Sequence, residues 1–514
     1  MESLPVELLN QICGYLCFHC QHPGLFPNAD HDHIRNDKRA LAHLCRTSKY
    51  LCSIAQPILY HYYATGNSRG RDEEEPPQTV YEYDYFLPQF VRTIAQRPDL
   101  ASQITTMHLV DTSDVDYRWH ESHVQTIEPL LEVGIVKDGL LKKPSPPDSW
   151  RVPYDLLGDS EQAGRRYTDF PHRWLAILAV VLSPRLKSLY LDAIGGFCLH
   201  DLRHSPRIKL LSLQTLGLVS RRFAYENVIH DGGGLFLAAP NLETIYVHSA
   251  SPRGALPSHA PWWFAPCSGY YDYKTFLSKV TKLAASNLWW GDITSMLRST
   301  SKLEELELYW EEHGNGESHC LLLGNVVDLL EPVKATITRL CIGCIPCHDE
   351  IAEYRHQERT YYYKITGSFC EYPKLEYMSI DCYSLYRIWP ESDKLLVDLL
   401  PRPIRFLRIS YAYSPWVCVD IAKCLGQLVK DAPEKFPFLK EVVLGVLDDP
   451  STNLDFEVLG LFRDFQSSDI KLTVVYDPPD ADPRTVVPGD MIGPKSPPVP
   501  RIRDMLEKEA EESI

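Results

Sequence analysis

The side chains with the greatest capacity for chemistry are cysteines and histidines, and they are densest near the start of the sequence. The first group consists of Cys13, Cys17, His19, Cys20, His22, His31 and His33. Cys17-x-x-Cys20 has the spacing of two zinc ligands, and a structural zinc ion would keep this polar segment ordered. The downstream histidines, however, do not complete a recognised pairing with the two thiols. We therefore expect a polar loop without a metal ion, and a zinc site is the alternative.

A second group follows in the middle of the chain. Its residues Cys344-Ile-Pro-Cys347-His348 match the attachment pattern of c-type haem. Covalent haem attachment needs an exported protein, but the first residues lack the basic and then apolar segments of a signal peptide. Cys341 also lies between Leu340 and Ile342, in an apolar stretch typical of a buried strand. We interpret these cysteines as residues of a strand and its turn, and we predict no cofactor.

Motifs of the common enzyme classes are absent from the sequence. It contains no G-x-S-x-G elbow, phosphate-binding P-loop, H-E-x-x-H or glycine-rich dinucleotide fingerprint. Acidic residues are abundant, but nothing in their spacing pairs two of them as acid and base. We therefore predict a protein that is not an enzyme and has no catalytic residues. Aromatic segments such as Trp262–Phe264 and Tyr361–Tyr363 are expected to fill a core, with partner binding as the alternative.

The overall charge narrows the range of partners. The 514 residues carry 52 Lys and Arg against 68 Asp and Glu, a formal net charge of −16. This balance disfavours binding to nucleic acid and docking on an anionic membrane, both of which need basic surfaces. The 15 cysteines lack the density of a disulfide-stapled secreted domain, and no apolar run reaches about 18 residues. We expect a protein of the cytoplasm and/or nucleus with reduced thiols.

Helical periodicity dominates the first sixty residues. Apolar residues recur at helical spacing from Leu8 to Leu16, behind a Leu4-Pro5 start, and again from Leu41 to Ile58. The segment 17–36 between them is predicted to be a loop. We therefore predict a helical module at 1–63 with an insertion at 17–36, followed by a charged linker or loop at 64–84.

A repeated pattern fills most of the remaining chain. The spacing apolar-x-x-apolar-x-apolar occurs ten times between Ile104 and Leu444, and from Leu186 onward the starts lie 23 to 38 residues apart. Each interval has room for one strand and one helix, which predicts an α/β solenoid of leucine-rich repeats at 85–476. The Asn or Cys of the consensus repeat is missing, so an irregular solenoid with insertions is expected. The Pro-rich stretch 477–514 is predicted to be a disordered tail that could end in a short helix.

The N-terminal pattern resembles a known family. Leu4-Pro5-x-Glu7-Leu8-Leu9-x-x-Ile12-x-x-Tyr15-Leu16 resembles the opening of the F-box family. Its second half resembles that of fungal F-box proteins, in Leu41-x-x-Leu44-Cys45-Arg46-Thr47-Ser48, in Leu51 and in Ala55-Gln56-Pro57-Ile58-Leu59-Tyr60. The resemblance covers residues 3–62 and implies a three-helix module ahead of the repeats. The family's helices follow one another closely, whereas about twenty residues separate Leu16 from Asp37 here, which puts the shape of the docking surface in question.

The resemblance implies a function. Members of the family bind the adaptor subunit of an SCF-type E3 ubiquitin ligase, and through it cullin, while the C-terminal domain binds a protein substrate. The adaptor-facing residues would be Leu4, Pro5, Leu8, Leu9, Ile12 and Leu16, with Leu44, Leu51 and Ile58 shared between that surface and the core of the module. The sequence does not identify substrate-binding residues. The alternative is a leucine-rich-repeat scaffold that acts without a ligase, in which Leu4, Leu8 and Ile12 pack on the first repeat as a cap.

Overall fold

A computed structural model gives the architecture of the chain. It describes residues 4–21, 32–64, 86–111, 128–140, 171–193, 202, 205, 207–220, 234–249, 277–286, 288, 290–312, 326–346, 368–381, 395–412, 415–446 and 456–476. They belong to two compact units. The first covers residues 1–250 and 270–272, and the second covers the remainder. The predicted tail at 477–514, and the predicted linker at 64–84 apart from residue 64, lie outside the described residues.

The chain begins with four helices. They are α1 (Val6–Gly14), α2 (Phe18–Gln21), α3 (Asp32–Thr47) and α4 (Lys49–Leu59). A buried cluster holds α1, α3 and α4 together and contains Leu9, Cys13, Cys17, Leu41, Leu51, Ile54, Ala55 and Ile58. Each fully buried aliphatic side chain contributes about 1.5–3 kcal/mol relative to an exposed one. These three helices form a helical module with its own apolar core.

Two local features differ from the sequence-based expectation. The stretch from Leu41 to Ile58 is divided between α3 and α4, because Ser48 is extended and its hydroxyl accepts the backbone N–H of Leu51 at 3.2 Å. A serine in this position caps the start of a helix. The segment 17–36, expected to be a loop, contains α2 and the first residues of α3, which begins at Asp32.

The rest of the first unit is a parallel sheet with flanking helices. Its strands are β1 (Tyr62–Ala64), β2 (Thr106–Asp111), β3 (Ser188–Ala193), β4 (Thr215–Ser220) and β5 (Thr244–Ser249), each paired with the next along the chain. Its helices are α5 (Phe86–Gln96), α6 (Pro98–Ala101), α7 (Gly134–Lys137) and α8 (Pro171–Val181), with a 3-10 helix at Glu128–Glu132. Helix α8 packs against α5 and β2, so this sheet has helices on its apolar face.

The second unit repeats this arrangement. Its parallel strands are β6 (Lys282–Ser286), β7 (Glu305–Glu312), β8 (Arg339–Pro346), β9 (Tyr377–Asp381), β10 (Phe406–Ala412), β11 (Glu441–Val446) and β12 (Lys471–Tyr476). Its helices are α9 (Trp290–Ser299), α10 (Val326–Leu329), α11 (Leu395–Leu399), α12 (Pro415–Lys435) and α13 (Phe456–Gln466), with 3-10 helices at Glu331–Val333 and Phe369–Glu371. Sequential parallel pairing with helical connections is a solenoid-like α/β arrangement.

The predicted apolar triplets lie in register along both sheets. In the first unit the second position of each triplet forms one row, made by Met107, Leu189, Leu216 and Ile245. In the second unit the equivalent row contains Leu283, Leu306, Leu340, Met378, Leu407 and Val442. All ten residues are fully buried. The structure thereby confirms the α/β class and the ten predicted strands, β2 to β11.

Backbone hydrogen bonds mark the start of each strand in the same way. In the first unit the carbonyl of His61 accepts the N–H groups of Thr105 and Thr106, both at 3.0 Å. The carbonyl of Thr105 in turn accepts those of Lys187 and Ser188. Similar pairs follow at the later strands, so His61 occupies the first position of this repeated bond. Its backbone is therefore fixed by the sheet.

Glycine makes room for a tyrosine at two places in the sheets. Tyr190 pairs with Gly217 across β3 and β4, and Tyr309 pairs with Gly343 across β7 and β8. A Cβ atom at Gly217 would lie 2.4 Å from a ring carbon of Tyr190, far inside van der Waals contact. The buried ring of Tyr190 therefore requires a residue without a side chain on the next strand.

This packing predicts that Gly217→Ala lowers the free energy of unfolding by about 1–3 kcal/mol, the usual cost of overpacking a core. The matched control is Gly460→Ala in α13, where a new Cβ meets no atom of the described residues within 4 Å. That change should be neutral or stabilise by up to about 1 kcal/mol, because alanine is the better helix former. Urea denaturation followed by circular dichroism measures both, and equal losses would contradict the close contact.

Candidate functional site

Helix α1 carries two apolar stripes, and only one of them packs in the core of the helical module. Leu9 and Cys13 lie four residues apart and are buried, with 2% of Leu9 exposed. Leu8, Ile12 and Tyr15 follow the i, i+4, i+7 spacing of a second face. Leu8 is 46% exposed and Tyr15 is 65% exposed, whereas Ile12 is half-buried. The second stripe therefore remains accessible on the surface of the helical module.

The nine residues that the F-box resemblance implies are distributed over three environments. Pro5 and Leu8 are exposed. Four are half-buried: Leu4, Ile12, Leu16 and Leu44. Leu9, Leu51 and Ile58 lie in the core of the module. The last three are occupied by internal packing, since they belong to the same buried cluster as Leu41, Ile54 and Ala55.

Three further apolar residues are exposed on the same helices and were not among the nine. They are Val6, Tyr15 and Tyr50. Tyr15 continues the helical spacing of Leu8 and Ile12, so the sequence pattern contained the signal for it. We define the exposed stripe as Pro5, Leu8, Ile12 and Tyr15, and we treat it as the candidate partner-binding surface. Contiguous exposed apolar groups on a small module are typical of interaction sites.

A cysteine and histidine cluster lies beside this module. It consists of Cys17, His19, Cys20 and His61, whose sulfur and nitrogen atoms all lie within 4.8 Å of one another. The Sγ atom of Cys20 is 3.4 Å from Nδ1 of His61. The ring centroids of His19 and His61 are 5.7 Å apart in an edge-to-face arrangement. Four side chains that can each donate to a metal ion therefore converge at one point.

Two short backbone segments position the cluster. Cys17 ends the turn after α1, and its carbonyl accepts the N–H groups of Cys20 and Gln21, which closes the single turn of α2. His61 follows α4 and donates its N–H to the carbonyl of Ile58 at 3.1 Å. Its own carbonyl accepts the N–H groups of Thr105 and Thr106. Cys17 is also part of the buried core of the module. The cluster therefore joins the end of α1 to the end of α4.

The pKa values of the two thiols in the cluster are shifted in opposite directions. A hydrogen bond from Cys20 is the main reason that the pKa of Cys17 lies well below its usual range, with smaller contributions from His19 and His61. The same hydrogen bond, together with burial and the charge of Cys17, raises the pKa of Cys20. The hydrogen bond between the two thiols therefore favours the thiolate form at Cys17 and the thiol form at Cys20.

Sequence reasoning considered Cys17 and Cys20 as zinc ligands but did not find His61. The sequence separation of 41 residues between Cys20 and His61 conceals their proximity. Of the other histidines in the group, His19 belongs to the cluster, whereas His22, His31 and the side chain of His33 lie outside the described part of the chain. The end of α4 and the hydrogen bonds between His61 and the start of β2 place the fourth side chain beside the thiols.

The second cysteine group lies on a strand, as expected. Cys341 is buried in β8, and its Sγ atom lies 2.9 Å from the hydroxyl of Tyr309. Burial is the main cause that raises the pKa of Cys341 to about 12. Cys344 also belongs to β8, whereas Cys347 and His348 lie outside the described residues.

The sheet of the second unit carries a charged and aromatic row on the face opposite its apolar rows. Lys282 and Arg339 approach the carboxylate of Glu305, at 3.5 Å and 3.8 Å respectively. The guanidinium carbon of Arg339 lies 4.7 Å from the ring centroid of Tyr377, and that ring stacks on Phe406 at 4.5 Å. We call these five residues the polar row. They form a continuous strip across β6 to β10 that is only partly buried.

Comparison with known proteins does not assign the chain to a family: no protein-family model matches it, and no curated protein is similar to it. None of the described helices is both long and apolar enough to cross a membrane. A functional proposal therefore rests on the geometry of the helical module and of the parallel strands in each unit.

The two stripes of α1 predict different responses to substitution. Leu9→Ala should lower the free energy of unfolding by about 2–5 kcal/mol, because it leaves a cavity in the core of the module. Leu8→Ala, at the adjacent position, should change it by less than about 0.5 kcal/mol, as is usual for exposed side chains. Thermal and urea denaturation of the two variants tests this. A large loss for Leu8→Ala would mean that this face is packed inside the folded protein.

Proposed function

We propose that the chain is the substrate-recognition subunit of an SCF-type E3 ubiquitin ligase. In this proposal α1, α3 and α4 form an F-box that binds the adaptor, and irregular leucine-rich repeats bind a protein substrate. The chain itself performs no chemistry, since the partner enzymes of the complex transfer ubiquitin. The observation that carries the proposal is the exposed stripe on a module whose own core is already complete.

The energetics of α1 support a partner on this face. The core of the module is built from the stripe that contains Leu9 and Cys13, whereas Leu8 and Tyr15 of the exposed stripe lie outside that core and are largely open to solvent. Removing a leucine-sized side chain from water contributes about 1.5–3 kcal/mol before the costs of association. Leu8 and Tyr15 together could therefore supply much of the affinity for an apolar groove on an adaptor.

The alternative of a capping helix receives less support. A cap would bury the Leu4, Leu8 and Ile12 side against the first repeat, whereas Leu8 is 46% exposed. The module meets the sheet of the first unit through another segment. Tyr63 in β1 stacks on Phe90 of α5, with 3.6 Å between the ring centroids. The end of α4 and the start of β1 make this connection and leave the exposed stripe of α1 free.

The polar row is the candidate surface for the substrate. It combines an arginine, two aromatic rings and both signs of charge, and arginine and aromatic residues are enriched at interface hot spots. The ion pairs of Glu305 with Lys282 and Arg339 are partly exposed, so a partner can reach these charges from the solvent, while Lys282 also lies 3.6 Å from the buried carboxylate of Glu307. We therefore assign protein recognition to this strip of the second unit.

Adaptor capture by the full-length chain tests the proposal. Immobilised wild-type protein should retain the SCF adaptor, and Leu8→Asp/Tyr15→Asp should reduce the retained adaptor at least about tenfold, since carboxylates are costly to bury in an apolar interface. Leu211→Asp is the matched control, because Leu211 is 62% exposed outside the module. It should retain as much adaptor as the wild type.

Two results would overturn the proposal. One is a wild-type chain that retains no adaptor. The other is equal capture by the double variant and the wild type, with circular dichroism showing that both are folded. Either outcome would remove the F-box interpretation and leave a repeat protein without a ligase partner.

A further inference from the structure

We propose that Cys17, His19, Cys20 and His61 bind one zinc ion, which fastens the end of α1 to the start of the sheet in the first unit. Two thiols and two imidazoles are a donor set that zinc uses in closed, structural sites. This inference is independent of the proposed ligase function, because it concerns the internal architecture of the first unit.

The distances within the cluster fit a tetrahedral ion. Zinc lies about 2.3 Å from sulfur and about 2.0–2.1 Å from nitrogen, so a sulfur and a nitrogen on one ion are separated by roughly 3.5 Å. The Sγ atom of Cys20 and Nδ1 of His61 are 3.4 Å apart. The four donor atoms lie within 4.8 Å of one another. Side-chain rotations that move the donor atoms by about 1 Å would therefore complete the coordination.

An unpartnered nitrogen supplies a second, independent observation. Nδ1 of His19 is buried from solvent and has no hydrogen-bond partner within the part of the chain that the structure describes. A buried polar atom without a partner costs about 1–3 kcal/mol. This unsatisfied nitrogen belongs to a ring that already lies with the other three donors, and coordination of a metal ion through Nδ1 would satisfy it.

The backbone at the cluster is fixed from both sides, as a closed metal site requires. Cys17 and Cys20 are held on one helical turn by the hydrogen bond from the N–H of Cys20 to the carbonyl of Cys17 at 3.0 Å. The carbonyl of His61 accepts three bonds of 3.0 Å, two from backbone N–H groups and one from the hydroxyl of Thr105. Little further ordering is needed to bind the ion, so little entropy would be lost.

A zinc ion here would connect distant parts of the chain. Cys20 and His61 are 41 residues apart, and closing a loop of this length lowers the entropy of the unfolded chain. Cys17 packs in the core of the module, and His61 begins the repeated carbonyl bonds of the sheet. The ion would therefore set the position of α1, and with it the exposed stripe, relative to β1 and β2.

Metal analysis of the full-length chain tests the proposal. Protein purified under reducing conditions with zinc supplied should carry one zinc ion per chain by elemental analysis. Cys17→Ser and His61→Ala should lower the content at least about tenfold. His61→Cys replaces one zinc ligand by another and should retain most of the metal. The matched controls are Cys370→Ser and His43→Ala, which change an exposed cysteine and an exposed histidine outside the cluster and should leave the content unchanged.

A measurement on the wild type alone keeps the test independent of folding of the variants. Cys20 is exposed, but as a zinc ligand it should react slowly with N-ethylmaleimide, and removal of zinc by a chelator should accelerate its labelling at least about tenfold. Zinc content near zero, labelling of Cys20 that the chelator does not change, or full zinc content in Cys17→Ser and His61→Ala would each overturn the proposal. None of these measurements involves the adaptor, so their failure leaves the proposed function standing.

Discussion

The described structure depends on the burial of apolar rows that run across neighbouring parallel strands. In each unit, parallel strands align so that the triplet of one strand lies beside the triplet of the next, as in Leu306, Leu340 and Met378. A shift of one residue would turn every triplet to the opposite face. The register therefore fixes which face receives the helices and which face carries the polar row. It also fixes His61, whose carbonyl begins the repeated bonds of the first unit.

One residue of the helical module, Cys17, connects the exposed stripe of α1 with the cysteine and histidine cluster. Cys17 is buried in the core with Leu9 and also belongs to the cysteine and histidine cluster. The turn that precedes it contains Tyr15, the most exposed member of the apolar stripe. Any interaction that fixes Cys17 thus also fixes the end of α1. This coupling relates the proposed metal site to the proposed adaptor surface without making either depend on the other.

The sequence predicted the regular parts of this architecture and failed at its irregular ones. Ten strands were predictable because their triplets repeat, but β12 was missed because Asp469 stands where the triplet would begin. Periodicity also predicted that α1 is amphipathic, yet it could not decide between Leu8 and Leu9, since either stripe could face the core. Ser48 divides a stretch whose apolar spacing looks continuous. Local spacing could not predict the partner of Cys20, because His61 lies 41 residues further along the chain and is brought to it by the tertiary structure.

We propose above all that the exposed stripe of α1 binds the SCF adaptor. Isothermal titration of the purified SCF adaptor with the full-length chain at several temperatures tests it most directly. We expect a complex of one adaptor with one chain and a negative heat-capacity change, because apolar surface around Leu8 is removed from water on binding. Absence of a binding isotherm at every temperature, or binding without a heat-capacity change, would contradict it.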